Sequence, residues 1–160
     1  MRTFLRMLTV VAALAAAGCS EPIDLTKNLE VVDVSTGWWD EGVVNGMNKL
    51  VPSITFKFKN NASEPLKVLQ ANIQFKRVSE ETEWSTAYVK VTGSEGLAPA
   101  ATSAVQVVPA EKGYTGTESR AQMMANSAFV DARVEIFAKY GSTQWVSVGK
   151  FPIERRMIPR

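Results

Sequence analysis

The sequence predicts an all-β domain, an antiparallel sandwich of about seven or eight short strands, carried behind an N-terminal export signal. Three observations predict it. Side chains alternate apolar and polar with period two in Ile54/Phe56/Phe58, in Leu69/Ala71/Ile73/Phe75 and in Val130/Ala132/Val134/Ile136/Ala138, which is the pattern of half-buried strands. Turn clusters separate these runs: NNASEP at 60–65, SEETE at 79–83, GSEGLAPA at 93–100 and Gly141-Ser142. The chain shows neither a strand–helix–strand rhythm nor a repeat, which favours strand layers packed face to face.

Arg2 and Arg6 precede an apolar run from Met7 to Ala17, and the small residues Ala16, Ala17 and Gly18 stand directly before Cys19. That is a charged, then apolar, then small-residue order, the grammar of a secretory signal. The run is shorter than the ~20 apolar residues a membrane span needs. The motif LAAAGC, residues 14–19, resembles the lipobox of bacterial lipoproteins. In that family the cysteine thiol is diacylated, the signal is cut before it, and the new amine is acylated in turn. The resemblance implies cleavage between Gly18 and Cys19, lipidation of Cys19, and a place in the cell envelope. Ser20 stands where inner-membrane lipoproteins carry Asp, which implies the periplasmic face of the outer membrane in a Gram-negative source.

The expected division is a signal peptide at 1–18, a lipidated tether at 19–28, the sandwich at 29–154 and a basic tail at 155–160. The polar tether reaches at most about 30 Å at ~3.3–3.6 Å per residue. The whole chain has 18 basic and 16 acidic side chains. The signal removes Arg2 and Arg6 and no acid, so the mature part is formally neutral. Nucleic-acid binding, which needs a concentrated positive field, is not expected. Cys19 is the single cysteine and the chain has no histidine. Catalysis by Ser-His-Asp or Cys-His is excluded, and so is a zinc site with histidine ligands. No cofactor or metal is implied.

Each further element follows from local pattern. A β-branched run opens at Leu29 and ends at Trp38. GWWDEGVVNG, residues 37–46, holds Gly37, Gly42 and Gly46 and reads as a long hairpin or loop. Trp84 to Val91 and Ala104 to Val108 read as strands. Gly113 to Ser127 breaks the alternation; Thr115 and Glu118 have capping-box spacing, which predicts a short helical turn near 116–125. Thr143 to Ile153 is a last strand, with Pro152 suited to an edge. The order ITFKFKN, an Asn/Ser turn, VLQANIQF, a middle strand and Leu97-Ala98-Pro99 before a short strand resembles the immunoglobulin-like FxLYD-type accessory domains of envelope proteins. QFKRV stands where that family carries Leu-Tyr-Asp, and Ala100 where it carries Gly. The resemblance implies an immunoglobulin-like sandwich and no chemistry.

Candidate sites are few. Trp38 and Trp39 point opposite ways in an extended chain, so one can anchor the core while the other faces a partner. With Asp40 and Glu41 they form a candidate aromatic platform with an acidic rim, suited to a sugar, a peptidoglycan strand or a protein. The plainer alternative is two packing tryptophans at a sandwich edge. Glu80, Glu81 and Glu83 read as a solvated hairpin tip rather than an acid–base pair, and Asn61-Ala62-Ser63 as a turn. GYTGTESRAQMM, from Gly113, reads as a crossover cap, or as a soft apolar surface through Met123 and Met124. The expected function is a lipid-anchored envelope module that binds or scaffolds an envelope protein or cell-wall partner. A carrier of a small apolar ligand or lipid, with a cavity walled by Phe56, Phe58, Phe75 and Ile136, ranks second, and a hydrolase third. No enzymatic activity is expected.

Overall fold

The computed structural model describes residues 21–158. Gly18 and Cys19, the expected cleavage and lipidation positions, lie outside the described residues, as does the rest of the signal. The elements follow in the order α1 (Leu25–Asn28), β1 (Leu29–Val44), β2 (Met47–Asn60), β3 (Leu69–Arg77), β4 (Ser85–Lys90), β5 (Gln106–Pro109), β6 (Tyr114–Gly116), α2 (Arg120–Ala125), β7 (Ala132–Tyr140), β8 (Val146–Pro152) and β9 (Met157–Ile158). They form two sheets: β5-β2-β1-β9, with β6 also paired to β2, and β4-β3-β7-β8. All pairings are antiparallel except β1 with β9. The fold is an all-β sandwich with a short helix at Arg120–Ala125, inside the stretch where the sequence predicts one. The strands beyond the expected number are the very short β6 and β9.

The alternating runs face each other across the sandwich. Ile54, Phe56 and Phe58 of β2, Leu69, Ala71, Ile73 and Phe75 of β3, and Ala132, Val134, Ile136 and Ala138 of β7 are all buried in one core. Each large side chain among them contributes about 1.5–3 kcal/mol by leaving water. Val130 precedes β7 and is only half-buried. Pro152 ends β8, an edge strand, as expected.

Long-range contacts set the local structure at three places. Of the two readings of residues 37–46, hairpin or loop, the hairpin holds: β1 continues through residues 37–44 to a tight turn at Asn45-Gly46, both with positive φ (52° and 79°), the geometry of a type I′ turn. Gly37 is glycine because β9 passes close by; a Cβ there would stand 2.6 Å from Ile158 Cγ2, and the Trp38 N–H donates to the Arg156 carbonyl at 2.8 Å. Gly42 sits in a bulge that bends the strand.

The tether is shorter than its polar composition suggests. Leu25–Asn28 forms one helical turn capped by Asp24, and Leu25 joins the core. The Ile23 N–H also donates to the Tyr140 hydroxyl. The Thr26 hydroxyl and the Lys27 ammonium hold the Asp24 carboxyl below its ordinary range. The basic tail is likewise pinned as far as Ile158. Arg155 donates to the Met124 and Phe129 carbonyls and pairs with Asp131, and Arg156 donates to Ser35 Oγ.

Candidate functional site

The two segments flagged in the sequence, 37–46 and 113–127, meet at one end of the sandwich. The Trp38 indole lies edge-on to Phe129 with ring centroids 4.4 Å apart, and 5.8 Å and 6.5 Å from Tyr114 and Trp84. Asp40 accepts from Arg120 Nε at 2.8 Å, and Asn48 Nδ2 donates to the Glu118 carbonyl at 2.7 Å. β6 lies in register on β2, Leu50 opposite Tyr114. The helix α2 begins at Ser119 in a capping box with Gln122, four residues later than the Thr115/Glu118 spacing suggests, because Tyr114–Gly116 is taken up by β6. Met123 and Met124 are buried beneath it, so they close the core rather than present a soft surface.

The tryptophans divide as an extended strand requires. Trp38 is fully buried and therefore out of reach of a partner. Its indole N–H has no hydrogen-bond partner. That costs about 1–3 kcal/mol, set against the burial of the largest side chain in the protein. Trp39 stands on the opposite face, half-buried across from Val51 and Ile158. Glu41 pairs with Lys49 at 2.9 Å, and the same ammonium reaches the Glu111 carbonyl. Asp40 and Glu41 thus fasten the hairpin to the crossover instead of rimming an open platform.

What this end does present is the hairpin tip. Val43 is 66% exposed, and Val44 and Met47 flank the turn with 37% and 38% exposure. The sequence signal of this tip is the Asn45-Gly46 turn between three apolar residues, which marks a hairpin but not its exposure. A cleft of about 160 Å³ lies alongside, lined by Tyr114, Glu118, Met123 and Phe129 among others.

The acidic tip carries no convergent acid–base pair. Glu80 pairs with Arg77, Glu81 with Arg133, and Glu83 accepts from the Thr86 hydroxyl. Among the described residues no three Asp, Glu, Cys or His side chains stand close enough to hold a metal ion. Phe56, Phe58, Phe75 and Ile136 are fully buried, with the Phe56 and Phe58 rings 5.1 Å apart. A concavity of about 330 Å³ opens on the outer face of the second sheet, between Lys76, Arg133, Lys150, Val78 and Pro152.

No protein-family model matches the chain, and no curated protein matches it. Among solved structures, the X-ray structure of a Northeast Structural Genomics Consortium target is similar over 81% of this chain and 89% of that one, at 12% identity and a TM-score of 0.46.

Proposed function

We propose that the mature chain is a lipid-anchored binding module of the cell envelope, held by acylated Cys19 and engaging an envelope protein through the tip of the β1–β2 hairpin. The observation that carries this reading is the opposition of the two ends. The described chain begins beside Tyr140, next to the start of β1, whereas the apolar tip stands at the far end of the same strand. Sixteen strand residues separate them, roughly 50 Å at ~3.3 Å per residue. A tip so placed points away from an anchored end. Val43, Val44 and Met47 then supply the apolar centre of a contact, and the ties through Asp40, Glu41 and Asn48 supply the rigidity that makes such contacts effective.

Two measurements test it. Mass spectrometry of the mature N-terminus is expected to find an acylated cysteine; an uncut Met1 or a free thiol overturns the anchor. With acylated protein, Val43→Asp combined with Val44→Asp is expected to weaken capture of the envelope partner about tenfold or more, the equivalent of ~1.4 kcal/mol. Unchanged capture by the folded variant removes the tip from the contact.

A further inference from the structure

The second sheet carries an exposed aromatic pair that no local motif announces. Its outward-facing rows are set by register: Lys90, Gln70 and Lys139 lie side by side, and Tyr88, Asn72 and Phe137 form the next row. The loop after β7 then brings Trp145 back over this surface. Lys139 Nζ sits 5.0 Å from the centre of the Trp145 ring, and the Tyr88 ring lies 6.3 Å from it at a steep angle. Tyr88 is 73% exposed and Trp145 37%. Between them a concavity of about 300 Å³ opens over Gln70 and Lys90.

The charge of this face is positive on balance. Arg133 pairs with Glu81 and Lys150 with Glu135, and Lys76, Lys90 and Lys139 add three further cations that point outward from it. The mature chain is formally neutral, so the excess here is matched by acid elsewhere. The N-terminal segment leaves the fold at the same end of this sheet. α1 packs on β8, the edge strand opposite β4, and the Ile23 N–H is held by Tyr140, which follows Lys139 in β7 and turns to the core side of the sheet. Cys19 precedes Ile23 by four residues, a span of at most about 14 Å.

We propose that this end of the second sheet rests on an anionic lipid surface, with Tyr88 and Trp145 at headgroup level and Lys90 and Lys139 against lipid phosphates. The inference rests on the acylation of Cys19, which brings the face within reach of the bilayer. Tyrosine and tryptophan settle at the membrane interface because one end of each ring system is apolar and the other polar. Lysine stems cover apolar surface while their ammonium groups reach anionic headgroups. The sandwich then leans on its second sheet and leaves the β1–β2 tip free. A glycan is the competing occupant of an aromatic sheet face. It is disfavoured by the steep angle between the two rings, which offers no flat stacking platform, and by Asn72, whose unpartnered amide oxygen is buried outside the concavity.

The test uses full-length processed protein whose N-terminus has first been weighed by mass spectrometry, bound to vesicles of phosphatidylethanolamine and phosphatidylglycerol with brominated acyl chains. Bromine is expected to quench part of the tryptophan emission. At least half of that quenching should disappear in Trp145→Phe, and a comparable share in Lys90→Glu combined with Lys139→Glu or at high salt. Equal quenching in wild type and Trp145→Phe overturns the proposal. A Trp145 response to soluble peptidoglycan fragments but not to brominated lipid also overturns it, in favour of a glycan site. If the weighed N-terminus carries no acyl chain, the anchor reading fails by itself. Sedimentation of the unacylated protein with the same vesicles then decides the face: phosphatidylglycerol-dependent binding lost in Trp145→Phe supports it, and absence of binding rejects it.

Discussion

Trp38 and Trp145 belong to aromatic pairs of opposite kinds. Trp38 sits beside Trp39 in the sequence, and the pair is divided by the strand it lies on, one ring into the core and one onto the outer face. Trp145 and Tyr88 are far apart in the chain and are brought onto one surface by sheet order and a returning loop. Adjacency in sequence therefore separates side chains on a strand, whereas register across strands gathers them. The aromatic pair that is easiest to see in the sequence is a packing device, and the one open to an outside surface carries no motif.

Substitutions separate these roles by size of effect. Trp38→Ala is expected to cost about 3–5 kcal/mol in urea or guanidinium unfolding, a large share of the ~5–15 kcal/mol that holds a typical domain. Trp145→Ala is expected to change stability by about 0.5 kcal/mol or less. Equal losses at the two positions would dissolve the contrast. Gly37→Ala comes next. Its Cβ would overlap Ile158 Cγ2, so a loss of about 1–3 kcal/mol is expected together with faster amide exchange in β9. Unchanged exchange there would show that β9 does not depend on the close approach. The Asp40–Arg120 pair is smaller again. Both side chains are about 35% exposed, so a double-mutant cycle is expected to return roughly 0–1 kcal/mol of coupling.

Glu135 gives the smallest effect, and a pH signature. Burial raises its carboxyl, but the Ser147 hydroxyl and the Lys150 ammonium outweigh that, with Lys76 adding to them, and the net shift is downward. A carboxylate held below its ordinary value contributes stability above its unfolded-state pKa and loses it as pH falls through the folded-state value. Glu135→Gln is therefore expected to lose a little stability near neutrality and to show a flatter acid limb, the two proteins converging in stability below the carboxylate range. An unaltered acid limb would mean that these hydrogen bonds contribute nothing.

The core strands were legible because period-two alternation is a local record of which face is buried, and Ile54 to Phe58 and Leu69 to Phe75 carry it without interruption. Gly37 was not legible, since its reason is a tail that arrives from residue 156. Nor were α1, a single turn whose buried Leu25 lies in a polar run, and Arg155, whose composition suggests a tail although its partners are backbone carbonyls of a distant loop. Of the candidate site, the sequence marked the two segments that converge at the hairpin end but not the tip that is exposed there. Exposure is set by what the neighbouring strands leave uncovered.

One measurement addresses the division of labour between the two ends directly. A photo-crosslinking residue is placed at Val43 in one sample of acylated protein and at Gln144, beside Trp145, in another, and both are irradiated in intact envelopes. The expected result is a protein adduct from position 43 and a lipid adduct from position 144. Lipid at 43, or the same protein adduct from both positions, would contradict an anchored module that leans on one end and binds with the other.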